Sequence, residues 1–438
     1  MSAPTRLFNR NFFLLWQGQL VSQLGNQLHA VALMFWIKHA TGSASLMGTI
    51  LMIAMLPGVI LGPIGGTFAD RFSRRRIIIW GDLIRGLSVL ALAAILFTAP
   101  GSVDLTIAWL LVISVVAGIA GAFFRPAISA AIPDLVPHEK VAAANSLNQS
   151  SIQLSVFVGQ GLGGVLFRLL GAPLLFLIDG ITYLFSAVSE CFIRIPQVIP
   201  ESRPELRALL AQFKEDTLEG FHYVWERRGM RDLFIMSAFL NFLLAPFGVL
   251  LPFYVEDHLH ARPDWFGFLI AAFGLGALLG YGIAGSLRLS GRGRAMIVIL
   301  FLFLASLGFV AAGLVLIPVV ALICFLLIGA FTGVVNINIM TTLQLTTPSE
   351  IRGRVFGLLG TLSSGLTPIG MGLAGLITDA IDHNVPLIYI ISGAASAAVT
   401  LGMALDRHFR EYLAFTPEDA ESSERPETDP SRSPQSDG

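Results

Sequence analysis

Apolar runs of roughly 20 residues recur twelve times along this chain, near 12–37, 46–69, 77–98, 105–124, 145–169, 173–193, 232–255, 265–287, 295–316, 319–340, 356–379 and 386–405. Helix of that length covers the hydrocarbon thickness of a bilayer. In lipid every backbone N–H and C=O has to pair within its own segment, so each run is constrained to be a helix. Connections are mostly short and marked by turn formers such as Pro100-Gly101 and Gly171-Ala172-Pro173. Only 13% of residues are charged and 54% are hydrophobic, about half the charged fraction of a soluble domain. These features predict an all-α polytopic membrane protein.

The same features exclude other classes. The net charge of −1 and the scatter of basic residues along helix ends give no nucleic-acid patch. Cys191 and Cys324 fall inside apolar segments, so neither a disulfide framework nor a metal cluster is indicated. The eight histidines are dispersed, no nucleophile elbow or P-loop lysine motif occurs, and neither a catalytic site nor a cofactor is expected. Met1–Arg10 is short and polar, and the first apolar run is long enough to span, so no cleaved signal is expected. With the N-terminus inside, only Lys38, Arg168 and Arg262 of the 28 basic residues lie on the outer side, the asymmetry that orients membrane proteins.

The longest internal connection, 195–231, divides the spans six and six. Its apolar residues Leu206, Leu209, Leu210, Phe213, Leu218, Phe221, Val224 and Trp225 recur at helical spacing beside Arg207, Lys214, Glu215 and Glu219. That pattern predicts an amphipathic helix on the cytoplasmic surface, with a partner-binding helix as the alternative. The expected layout is a short N-terminus (1–11), a first bundle (12–194), this linker (195–231), a second bundle (232–407) and a disordered cytoplasmic tail (408–438). The halves echo one another. Pro137-His138-Glu139 follows span four and Pro348-Ser349-Glu350 follows span ten, while glycine clusters mark spans two, five, eight and eleven. Nested repeats would produce this, giving twelve transmembrane helices in two pseudo-symmetric six-helix bundles.

Between spans two and three the chain reads GPIGGTFADRFSRRR (62–76). Its charges must sit at a membrane surface, since ionised groups in the bilayer are costly, and Gly65 and Gly66 would let two helices approach closely. The pattern Gly66, Asp70, Arg71, Arg74, Arg75 resembles the signature loop of the major facilitator superfamily, with Ser73 where that family usually has a second glycine. The resemblance implies a cytoplasmic latch whose charges pair in one conformation and release in another, and Arg125 is a candidate partner for Asp70. Basic residues after a membrane helix are also ordinary topology signals. Gly159-Gln160-Gly161-Leu162-Gly163-Gly164 matches G-x-G-x-x-G, but no strand precedes it. It is better compared with the G-P-x-x-G-G motif of family antiporters (Gly159, Gly163, Gly164), with Gln160 at the proline position. Four further stretches, 13–27, 123–150, 219–234 and 346–357, resemble the exporter branch that includes macrolide-efflux and enterobactin-exporter proteins.

Gln19, Gln23 and Asn26 form a polar stripe on span one, which should face an aqueous cavity or another helix. In the family, helices one, four, seven and ten line the substrate cavity, which adds Phe124, Asn241, Asn336 and Asn338 as candidates; amides that merely join helices are the alternative. The embedded carboxylates Asp179, Glu190 and Asp82 are the proton-coupling candidates. Asp82 has Arg85 at i+3 and Glu190 has Arg194 one turn away, so each of those could be a neutralised pair, and Asp179 stands out by elimination. Some drug exporters of the family carry a carboxylate in helix one, where this chain has amides. The reading is a monomeric secondary transporter of a bacterial cell membrane, with both termini cytoplasmic. It would exchange an amphipathic small molecule for protons by alternating access. A metabolite uptake carrier, a lipid flippase and a non-transporting receptor are the alternatives.

Overall fold

A computed structural model describes residues 6–197, 206–286, 290–349 and 351–416. Among these, ten helices are long and apolar enough to cross a membrane. One of them, His138–Cys191, contains two crossings, because α5 (Val141–Cys191) breaks at Gly171. Gly171 has φ 73° and ψ 167°, a backbone conformation open to glycine, and Pro173 follows it. A twelfth crossing is α1 (Arg10–Thr41), whose 32 residues are long enough to span but whose amides lower its hydropathy. Asn9 caps its start by accepting from the N–H groups of Asn11 and Phe12, and Gly42, at φ 66°, ends it.

The first bundle contains α1, α2 (Ala44–Arg71), α3 (Arg74–Thr98), α4 (Val103–Leu135) and both halves of α5. The amphipathic linker is α6 (Leu206–Glu226), held under the second bundle by a 2.7 Å Glu219–Arg354 ion pair and a 3.1 Å bond from the Tyr223 hydroxyl to the Thr346 carbonyl. The second bundle runs α7 (Arg228–Val249), a one-turn α8 (Leu251–Phe253), α9 (Asp264–Ser286), α10 (Gly291–Leu314) and α11 (Pro318–Thr346). It ends with α12 (Arg352–Gly365) and α13 (Thr367–Ala380), which together make one kinked crossing, then α14 (Val385–Leu405). The chain is helical past the expected bundle boundary: α15 (Arg407–Leu413) folds back onto α7 and α10, and residues 417–438 lie outside the described set.

Glycine contacts repeat between the bundles. A Cβ on Gly65 of α2 would lie 1.9 Å from the Ala122 carbonyl oxygen of α4. Cβ atoms on Gly276 of α9 and Gly329 of α11 would meet the Leu326 and Phe273 carbonyls at 1.9 and 2.0 Å. Backbones this close exchange dispersion contacts that lipid tails cannot replace. Gly66, expected to share this role, has open space around it.

The hydrogen bonds and ion pairs joining the bundles cluster at the face opposite the chain termini. Lys38 lies 2.8 Å from Glu256 and 2.7 Å from Asp257, His39 lies 2.9 Å from Glu256, and Arg168 lies 2.9 Å from Asp264. Asp379 of α13 caps the start of α2 across the junction, accepting from the Ser43 hydroxyl (2.8 Å) and from the N–H groups of Ala44 and Ser45 (both 2.9 Å). Helix packing follows the same seam, with Gly164 and Gly375 so close to Pro263 and Ala44 that a Cβ would come within 2.1 and 2.2 Å of their carbonyl oxygens. Burial alone would raise the Glu256 carboxyl, but hydrogen bonds from His39 and Lys38 outweigh it and hold the group below its ordinary value of 4.5. The group therefore supports the joined state fully above pH 4.5, and that contribution fades as pH falls through the lowered value. Spin labels across this face should separate in acid below that value, and the acid response should be reduced in Glu256→Gln; an equal response in the variant would assign it to other groups.

Candidate functional site: a buried charge cluster in the first bundle

Three carboxylates are enclosed where α1, α3 and the second half of α5 meet: Asp82 and Asp179 at 0% exposure and Glu190 at 1%. Small residues on the packing faces make this approach possible. Gly25 of α1 leaves no space for a Cβ, which would meet the Thr182 hydroxyl at 2.1 Å and Asp179 at 2.9 Å. Asp82 receives one strong bond, 2.5 Å from Arg85. That guanidinium lies 4.0 Å from the Phe124 ring centre and 4.7 Å from that of Tyr183, held by two aromatic faces in a low-dielectric site. Glu190 is held by neutral donors, the Gln19 amide at 2.8 Å and the Ser186 hydroxyl at 3.3 Å. Gln19 also reaches Asp82 at 3.5 Å, linking the two carboxylates. Asp179 lies 3.0 Å from His29 Nδ1 and accepts no aligned hydrogen bond among the described residues. A small cavity of about 30 Å³ borders this pair, walled by Asn26, Arg85 and Tyr183, whose hydroxyl donates to Asn26 at 3.1 Å.

Three carboxylates therefore share one arginine. An unpaired carboxylate deep in a membrane protein is neutralised by a cation or by a proton, because desolvation of the bare ion costs too much. Arg85 compensates Asp82, while Glu190 is met by neutral donors and Asp179 by His29 alone.

The polar stripe of α1 is divided by the fold. Gln19 is 3% exposed and points into the bundle, whereas Asn26 is exposed and Gln23 half-buried with its Oε1 unbonded. Phe124 and Asn338 do not line an open cavity either: Phe124 packs on Arg85, and buried Asn338 bonds back to the Val334 carbonyl at 2.8 Å. Asn241 and Asn336 are exposed, Asn241 donating to the Ser237 carbonyl. Glu190 does not pair with Arg194, because α5 ends at Cys191 and exposed Arg194 turns away. His29, Tyr183 and Ser186 were not singled out from the sequence. His29 falls three residues beyond Asn26 on the same helical stripe, and that spacing was the available signal.

At the latch, Arg74 rather than Arg125 is the partner of Asp70. It bonds Asp70 at 3.0 Å, Asp134 at 2.5 Å and the Ala130 carbonyl at 2.9 Å, tying α2 to α4. α4 continues ten residues past Arg125, so that exposed side chain is not at a helix end and makes none of the described ion pairs. Arg75 bonds the Cys191 carbonyl at the end of α5, and the partly buried Arg71 has a buried nitrogen without an acceptor. Ser73 caps α3 by accepting from the Arg76 N–H at φ −58°, a position that needs no glycine. In the α5 motif, Cβ atoms on Gly159 and Gly163 would collide with Gln27 and Val31 of α1, at 2.5 and 2.6 Å. Gln160, in place of proline, bonds Gln27 at 2.7 Å.

Comparison with known proteins gives concordant results. The sequence profile of the Major Facilitator Superfamily matches residues 15–371 and 233–427. Macrolide efflux protein A of Streptococcus pyogenes is 25% identical over 377 residues, 85% of this chain and 90% of that protein. The multidrug efflux pump Tap of Mycolicibacterium fortuitum is 29% identical over 370 residues, 82% of this chain and 87% of the pump. Among solved structures, the peptide transporter POT superposes with a TM-score of 0.73 at 15% identity, covering 94% of this chain and 98% of the other. A bacterial homologue of the human lysosomal transporter Spinster, in an inward-facing conformation, gives 0.67 at 16% identity, covering 92% and 96%.

Proposed function

This chain belongs to the major facilitator superfamily and is a membrane transporter rather than an enzyme, and from that premise we propose that it exports an amphipathic small molecule in exchange for protons. It acts as a single chain in a bacterial cytoplasmic membrane with both termini inside, a placement supported by the Lys/Arg asymmetry of its loops. On that orientation the joined face is the outer one, and a cargo cavity between the bundles would open to the cytoplasm. Names of the relatives support efflux as the direction and a macrolide- or drug-like compound as cargo.

The observation that carries the coupling is the charge imbalance in the first bundle: three enclosed carboxylates, one arginine and one histidine. Asn26, Gln23, Asn241 and Asn336 present amides to the cargo. Asp179, beside His29 and bordering the cavity behind Asn26, is the group whose proton is exchanged as the cavity changes sides. Glu190 and Asp82 tune it through Gln19 and Arg85. The latch residues and the α5 glycines Gly159, Gly163 and Gly164 set the geometry of the moving parts.

Reconstituted vesicles carrying an imposed proton gradient and a pH dye test this reading. Adding macrolides or lipophilic cations should trigger proton movement in the wild type, and Asp179→Asn should abolish it while retaining cargo binding. Proton movement that survives in Asp179→Asn would move the coupling to Glu190. Binding without proton movement in the wild type would overturn the antiport.

A further inference from the structure

A second candidate site lies on the outside of the second bundle, away from the charge cluster of the first. At the termini face, the start of α10, the end of α14 and the short α15 enclose a groove of about 810 Å³. Neither α10 nor α14 belongs to the seam between the bundles, where α2 packs on α13 and α5 on α9, so the groove looks out toward lipid. Its floor is apolar and open: Met296, Leu300 and Leu401 are 68%, 46% and 50% exposed. Its rim is basic. Arg407 is matched by Glu411 at 2.6 Å, but Arg292 and Arg410 make none of the described ion pairs, leaving two positive charges above the apolar floor. The rim is built rather than incidental. Arg294, only 4% exposed, donates to the carbonyls of Leu413 (3.1 Å) and Phe415 and so fastens α15 in place as one wall.

We infer that this groove binds an anionic phospholipid of the leaflet that meets the termini face, with acyl chain along Met296, Leu300 and Leu401 and phosphate between Arg292 and Arg410. The apolar floor alone would accept any lipid tail. The two unmatched arginines favour a headgroup with net negative charge over a zwitterionic one, whose own cation they repel. An arginine near a membrane surface contributes about fivefold in affinity for anionic lipid, so the pair supplies roughly thirtyfold selectivity.

Native mass spectrometry of the full-length protein in mixed phosphatidylglycerol and phosphatidylcholine micelles reads the site directly. The wild type should retain phosphatidylglycerol preferentially, and Arg292→Gln/Arg410→Gln should retain one molecule fewer per chain. Arg292→Lys/Arg410→Lys, which keeps charge, should retain it. Leu401→Trp, which fills the floor with the rim intact, should lose the same molecule, and this separates a lipid site from a site for free phosphate. Equal retention of both lipids by the wild type would overturn the proposal. So would an unchanged phosphatidylglycerol count in the glutamine variant, or in Leu401→Trp if the glutamine variant fails to fold.

Discussion

Arg85→Met should be the most damaging single substitution in the first bundle, lowering stability by about 3–5 kcal/mol. Arg85 bonds Asp82 at 2.5 Å and the Gly81 carbonyl at 2.9 Å, between the rings of Phe124 and Tyr183. Methionine keeps much of the apolar stem and the ring contacts, so lost packing contributes little. What changes is the charge: Asp82, at 0% exposure, would be left with Gln19 at 3.5 Å as its polar contact, and Glu190 and Asp179 would face the site with no fixed cation. Breaking a buried pair on one side strands the other ion, whereas removing both can be nearly neutral. Arg85→Met should therefore yield little monodisperse protein in detergent and a lowered melting temperature. Arg85→Met/Asp82→Asn should recover most of the loss. A double variant no more stable than the single one would mean that Arg85 acts through its ring contacts instead.

Asp379→Ala should shift the resting conformation, separating the bundles at the face opposite the termini. Asp379 accepts three hydrogen bonds from the first turn of α2, at 2.8, 2.9 and 2.9 Å, and its charge sits against the positive end of that helix. Hydrogen bonds to an ionised acceptor are each worth about 1.5–3 kcal/mol. Water would take over part of that role in the separated state, the carboxylate being 27% exposed, and His383 at 3.1 Å would remain beside it. The discounted loss is about 2–4 kcal/mol, enough to move a closed population to a mixed or open one. Distances between spin labels at the exposed positions Ala40 and His260 should lengthen in Asp379→Ala while the melting temperature changes little. An unchanged distance distribution would assign closure to the apolar seam around Gly164 and Gly375.

The crossing count, the six-plus-six division and the amphipathic linker were legible in the sequence because each depends on local periodicity and on the length that lipid demands. The break at Gly171 was equally legible, since Gly-Ala-Pro specifies it within a few residues. The site was only partly so. Gln19 and Asn26 share a helical stripe, yet one is buried and the other exposed, and spacing along α1 carries no record of which neighbour covers each residue. The partner of Asp70 was missed for a related reason. Arg74, four residues on, competes with Arg125 for Asp70 and is shared with Asp134, 64 residues away, and only the continuation of α4 to Leu135 brings Asp134 to Arg74 and leaves Arg125 short of the helix end.

By itself, then, the sequence determined that this chain is a helical membrane protein, because hydropathy, span length and loop charge are summed along the chain and survive any rearrangement of the helices; transport followed only from its resemblance to a transporter family, carried by stretches such as 62–76. Only the tertiary structure decided which embedded charges meet. His29 and Asp179 lie on different helices, as do Gln19 and Glu190, and their pairing follows from the depth and rotation at which α1 packs on α5 through residues such as Gly25. Electrostatic energy depends on those last few ångströms and on what excludes water there, and both belong to the packed bundle.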